Sequence, residues 1–283
     1  MLGNLKNGLT KAVAGGAVCV VLATTASSVA LTQENIANKL AMIHLKEVLL
    51  NRIVKSVCFI DAGVEADRNR QVVYEARDEF ERSLADIKRE VANLDQSLPA
   101  VRSLNRQLDK KTDQWFRMRV YLDRELKEHS PSESVLGQIV LMENGIEKVI
   151  GRSFKVLKKE AASEGKITLG DMIQEERTFE RVMLAEKMVK EACLVAMEEG
   201  GAMERAYLSE VVMHFENNLT IEETSPLSPK LVKEMVPQWR AVLPRVRSLA
   251  EGQGADDTLL RDLDALKHEW FEVSGVDLIP SLG

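Results

Sequence analysis

The chain reads as an all-α protein: two tandem antiparallel four-helix bundles behind a signal peptide. Three observations predict this. Only 5% of the 283 residues are aromatic, with 7 Pro against 11 Met and many Ala, Leu, Glu, Lys and Arg, a composition that favours helices over strands. From Glu34 onward apolar residues recur at alternating spacings of three and four. Breaker residues then divide the chain into stretches of helical length.

The first thirty residues have the order of a secretory signal. Lys6 and Lys11 precede an apolar run from Ala12 to Ala23, followed by small polar residues and the small-x-small exit Ser28-Val29-Ala30. Cleavage before Leu31 would remove two Lys and no acid, moving the net charge from −6 to −8. The rival reading, an inner-membrane anchor through residues 12–30, wants about 20 strongly apolar residues. This run is short and diluted by Gly15 and Gly16. A periplasmic protein is therefore expected, touching membrane only through an uncleaved N-terminal segment.

Residues 31–163 form the first expected bundle. Ile36, Leu40, Ile43, Leu50, Val54 and Val57 make one stripe, and Val73, Phe80, Ile87 and Leu94 a second. Leu104, Leu108, Trp115, Met118 and Leu122 mark a third helix, while Val135, Ile139, Met142, Ile146, Val149 and Val156 follow in nearly heptad order. Each stretch of roughly 30 residues would be about 45 Å long. Breaks fall near Ala62-Gly63, Ser97-Leu98 and Ser130-Pro131-Ser132. Residues 168–274 form a second, shorter bundle, with helices near 168–199, 202–222, 228–251 and 256–273. Pro237 and Pro244 should kink its third helix or delay its start. Residues 275–283 are a C-terminal tail.

The halves are related. A shift of 135 residues superposes Leu49–Leu84 on Leu184–Leu219 without a gap, with nine identities in 36 positions. Apolar identities are expected between any two amphipathic helices. Lys55/Lys190, Cys58/Cys193 and the Phe-Glu pairs 80–81 and 215–216 are not, so duplication of a helical unit is the reading. Gln114-Trp115 and Gln238-Trp239 then fall in matching third helices.

Met183-Leu184-Ala185-Glu186-Lys187-Met188-Val189-Lys190-Glu191-Ala192-Cys193, with Leu49-Leu50-Asn51-Arg52-Ile53-Val54-Lys55 as a weaker copy, resembles the Arg-Met-Leu-Ser-Gln-Arg-Met signature of a known module. That module is the periplasmic sensing domain of type IV pili methyl-accepting chemotaxis transducers, related to the one in nitrate and nitrite sensor kinases. The resemblance implies a helical sensor unit that binds small ligands or partner proteins between first helices, in two copies here. It makes Glu47, Asn51, Arg52, Arg181, Glu186 and Lys187 the ligand-binding candidates. In the nitrate-sensing relatives an Arg before the Met holds the anion, but Glu47 and Val182 stand at that position here, and Arg181 lies one residue earlier. Oxyanion binding is thus not expected. Arg52 and Lys187 match the later basic residue, a type that on long helices more often faces water.

The remaining chemistry is sparse. The histidines 44, 129, 214 and 268 show no His-x-x-x-His or Glu-x-x-His spacing, so no metal site is expected. There is no phosphate-cradling glycine loop and no Gly-x-Ser-x-Gly, so neither enzyme activity nor a cofactor is expected. With 38 basic against 44 acidic residues and no long basic stretch, nucleic acid is excluded as a partner. Asn218-Leu219-Thr220 matches a glycosylation acceptor. Cys58 and Cys193 have two readings: a disulfide across a pseudo-two-fold axis, or a small core residue in each half. The expected function is an exported, non-enzymatic, sensor-like protein that binds a small ligand or a membrane chemoreceptor or sensor kinase. The alternative is a structural or adaptor bundle of the cell envelope or pilus machinery.

Overall fold

A computed structural model describes residues 33–127, 133–163, 169–197, 201–254 and 258–274. Among them are eight α-helices and no strand: α1 (Gln33–Asp61), α2 (Ala66–Ala92), α3 (Pro99–Lys127), α4 (Glu133–Ser163), α5 (Leu169–Ala196), α6 (Ala202–Thr224), α7 (Lys230–Ala250) and α8 (Leu259–Ser274). The N-terminal segment 1–30 and the tail 275–283 lie outside the described residues. No described helix is long and apolar enough to cross a membrane.

Local chemistry explains the visible turns. α1 stops where Gly63 takes φ +69°, which glycine reaches without steric cost, and Glu65 follows at φ +44°. The Asn69 side chain ties that turn down by donating to the Val64 carbonyl at 2.9 Å. α2 ends where Gln96 donates to the carbonyls of Val91 and Leu94, and Pro99 opens α3. α7 begins at Lys230 and runs through both prolines rather than starting late. Pro237 and Pro244 are exposed, so each ring sits on the solvent side, where a helix bends outward and a missing N–H is best tolerated.

Successive helices run antiparallel. Lys88–Asp109 and Arg77–Asp123 align α2 against α3. Arg181–Glu222 at 3.0 Å and the Arg177–Ser225 contact align α5 against α6, and Arg240–Glu223 and Arg247–Glu216 align α6 against α7. α4 packs against α3 and returns to α1; α8 packs against α7 and returns to α5. The two sets meet through α1 and α5. These two helices are parallel, because Cys58 meets Cys193 while Arg52, six residues earlier, meets Glu186, seven residues earlier.

Equivalent residues occupy equivalent surroundings. Phe80 packs on Trp115 with centroids 4.6 Å apart, and Phe215 packs on Trp239 at 4.8 Å. Ser83 and Asn218, one repeat apart, are both buried. One continuous apolar core runs through all eight helices and includes both cysteines at 0% exposure.

Candidate functional site

The seam between α1 and α5 is apolar along most of its length, from Val48 to Ile60 and from Val182 to Val195. Into this stripe the chain inserts charge. Lys55 and Lys190, identical across the repeat, point inward at 2% and 3% exposure, and each reaches a carboxylate on the other half's fourth helix. Lys55 Nζ lies 2.8 Å from Asp264 Oδ1 on α8, and Lys190 Nζ lies 2.7 Å from Glu143 Oε1 on α4 and 2.9 Å from Glu191 Oε1. The reciprocal exchange ties each half to the other.

On the α8 side the pair grows into a cluster around Glu186, which is fully buried. Its carboxylate faces Lys267 Nζ at 3.5 Å, Arg52 Nε at 3.6 Å and Lys55 Nζ at 4.0 Å. Lys267 also pairs with Asp264 at 2.9 Å, and the Arg52 guanidinium lies 5.2 Å from the Phe271 ring centre. The approaches to Glu186 are ionic rather than hydrogen-bonded: neither of its oxygens, nor Arg52 Nε, has a hydrogen-bond partner. Gaps of 3.5–4.0 Å lie beyond the usual length of an N–H···O hydrogen bond, about 2.7–3.2 Å.

Electrostatics follow from burial and neighbours. Burial pushes the Glu186 carboxyl upward, but Lys267, Arg52 and Lys55 outweigh it and hold its pKa below the usual value. Asp264 is likewise held well below the carboxylate range, the two lysines overcoming burial. Burial and the neighbouring Lys267 lower the Lys55 ammonium to about 8, against the pull of Asp264 and Glu186. For Lys267 the two carboxylates win over burial and its pKa is raised. Glu186, Asp264, Lys55 and Lys267 are therefore charged at neutral pH.

Of the candidates named from sequence, the seam brings Arg52 and Glu186 into contact. Asn51 is buried beside them and donates to the Glu47 carbonyl at 2.8 Å. Glu47 is half-buried and faces α4 at Gly151. Arg181 is buried but engaged with Glu222, and Trp270 donates to its carbonyl at 3.3 Å. Lys187 is half-buried over the Tyr207 ring at 5.6 Å, away from the cluster. The expectation that basic residues here face water is corrected for Arg52, at 6% exposure, because Glu186 on α5 supplies the counter-charge that makes burial tolerable. Cys58 and Cys193 are joined, with Cα atoms 6.2 Å apart. Asn218 is buried at 4% exposure, which closes the glycosylation acceptor in the folded chain.

Lys55, Lys190, Glu143, Asp264 and Lys267 were not singled out from sequence as site residues. Two signals pointed to the lysines, the Lys55/Lys190 identity within the repeat and the position of Lys267 on the otherwise apolar α8 stripe of Leu259, Leu263, Trp270 and Phe271, and none to Glu143 or Asp264. Lys46 is a further buried cation, one repeat before Arg181, and burial lowers its pKa to about 7 against the pull of Asp86 and Glu79. Among the described residues no group of three or more His, Cys, Asp or Glu is placed to hold a metal. Compared with protein-family models, curated proteins and solved structures, the chain matches none.

Proposed function

We propose that this is an exported, non-enzymatic protein made of two four-helix bundles, α1–α4 and α5–α8, that arose by duplication of a sensor-like unit. It recognises a small ligand, or the extracytoplasmic part of a membrane chemoreceptor or sensor kinase. The observation that carries this reading is the parallel pairing of the two first helices around a buried charged cluster. That is the place where the resemblance to the transducer module puts recognition. Arg52, Lys55 and Lys267 offer cationic groups to a carboxylate, while Glu186 and Asp264 offer acceptors to an amine. A small organic acid or amino acid entering the seam would exchange its own charges for contacts the protein makes with itself. The buried disulfide supports export, since such bonds persist in oxidising compartments.

Thermal-shift measurement of the purified protein against organic acids, amino acids and inorganic anions tests the reading. A compound that binds only the folded state raises its midpoint with concentration. The shift should vanish in Arg52→Met. Absence of any shift favours the alternative, an adaptor bundle of the envelope or pilus machinery without a small ligand. Exposed Phe116, Val120 and Tyr121 on α3, beside Arg119 and Arg124, support that alternative, because aromatic and Arg side chains are enriched at protein interfaces.

A further inference from the structure

The faces that α1 and α5 present to each other are equivalent in position but not in charge. Where α1 carries the neutral buried residues Asn51 and Ser56, α5 carries Glu186 and Glu191 one repeat later. Among the described residues that form ion pairs at the seam, the α1–α4 half contributes Arg52, Lys55 and Glu143, one positive charge in excess. The α5–α8 half contributes Lys190, Lys267, Glu186, Glu191 and Asp264, one negative charge in excess. Together they balance. Two α1–α4 halves meeting through the same seam would bury two uncompensated positive charges, and two α5–α8 halves two negative ones.

We infer that the seam is a selective interaction surface: each half accepts the other and rejects a second copy of itself. Selectivity arises by repulsion as much as attraction. An α1–α1 pairing would set Arg52 against the neutral Asn51 of its twin, where α5 offers Glu186. An α5–α5 pairing would set Glu186 against Glu186, while Lys187, the equivalent of Arg52, is held over the Tyr207 ring. Uncompensated charge in so dry a seam costs far more than at a surface, so like pairings are penalised while the mixed pairing is neutral. The apolar stripes and the cysteines are common to both halves and cannot discriminate. The partner that fits the α1 seam is therefore a parallel helix bearing a carboxylate at the Glu186 position, with a second carboxylate brought to Lys55 as α8 brings Asp264. This chain supplies that partner itself, so the pair is complete within one molecule. The inference rests on the two-unit reading and needs no ligand.

The native disulfide provides the assay, because its cysteines are equivalent and would bridge any pair of first helices brought together. The full chain, carrying a protease site between residues 164 and 168, is folded and cut there. It is then reduced and unfolded in urea, and refolded under a glutathione redox buffer. Mass spectrometry without reduction reads which halves are linked. Mixed Cys58–Cys193 species should exceed either same-half species by at least about tenfold, the factor a modest charge mismatch provides. A random distribution, one part of each same-half species to two of mixed, overturns the inference. If circular dichroism then shows helical content intact, the two-unit reading survives that failure. Glu186→Gln in the cut chain should move the distribution toward random and let linked α5–α8 pairs appear. An unchanged distribution means that this carboxylate does not select the partner, and equally overturns the inference.

Discussion

Replacing Glu186 by Gln keeps the side chain's size and removes one charge from the centre of the seam. Three cations, Arg52, Lys55 and Lys267, lie within 4.0 Å of that carboxylate, and Asp264 remains to compensate only the two lysines. A single pair at 3.6 Å is worth about 4–5 kcal/mol at an effective dielectric of about 20, before the cost of burying the carboxylate is deducted. Breaking one partner of a buried ion pair typically loses about 3–5 kcal/mol, and that is the expected loss here. At roughly 2–4 °C per kcal/mol for a chain of this size, the midpoint should fall by about 6–20 °C. Urea unfolding at pH 7 measures the free-energy loss and thermal unfolding the midpoint, both followed by tryptophan emission, since Trp115, Trp239 and Trp270 are all fully buried. A second variant separates lost charge from lost packing. Arg52→Met combined with Glu186→Leu removes one charge of each sign, restores the balance of the seam and should recover at least half of the loss. A loss below about 1 kcal/mol in Glu186→Gln, or a double variant no more stable than the single, would refute the view that this cluster is held by mutual compensation.

Three further outcomes follow from the same geometry. Cys58→Ser with Cys193→Ser opens a loop of 135 residues, for which the chain-entropy argument gives a loss of about 5 kcal/mol, read as the shift in urea midpoint against the oxidised protein. Phe80→Ala and Phe215→Ala should each cost about 3–5 kcal/mol, because each removes a fully buried ring from the same aromatic pairing; a surface-like loss in either would break the equivalence of the two halves. Lys46 holds its proton only below about pH 7 in the folded chain but up to its ordinary value near 10.5 when unfolded. Between those limits the unfolded state binds the extra proton, so this residue's contribution to stability rises with pH. Lys46→Met should therefore stabilise the protein at pH 6 and gain progressively less toward pH 10, measured by urea unfolding across that range.

How legible this was depends on what each residue had to do. Helix positions could be read because their signals are local: the stripe of Val73, Phe80, Ile87 and Leu94 gives α2, and α4 opens at Glu133, directly after the Ser130-Pro131-Ser132 break. The effect of the prolines in α7 was less legible than its bounds, since two prolines argue against a helix interior while their exposure, which makes them tolerable, is a tertiary property. The repeat made Cys58 equivalent to Cys193 and set Trp115 in register with Trp239, because the same helix buries the same side in both halves; that the cysteines meet follows only from the pairing of α1 with α5, which no local signal shows. Partners of the buried charges were not legible. Asp264 and Glu143 lie 209 and 47 residues from the lysines they meet, and nothing local to Lys55 or Lys190 shows that a carboxylate will arrive from another helix. Arg52 looked like a solvated residue for the same reason.

Lys55 and Lys190 also explain why charge persists in a seam that apolar residues could fill. An all-apolar α1–α5 contact would hold equally well in several registers and with either half as partner, because Leu, Val and Met make contacts that tolerate sliding. Lys55 meets Asp264 and Lys190 meets Glu143 only when the two helices run parallel with Cys58 beside Cys193; a slip of one turn, about 5.4 Å, would break both of these pairs across the seam. The stability given up by burying ions is thus returned as a single permitted arrangement. On this reasoning Lys55→Met with Asp264→Leu should leave the protein at least as stable as before, yet lower the fraction that forms the native bridge on oxidative refolding. If the bridge forms as fast and as completely as in the parent chain, the ion pairs do not set the register and the apolar stripe alone suffices.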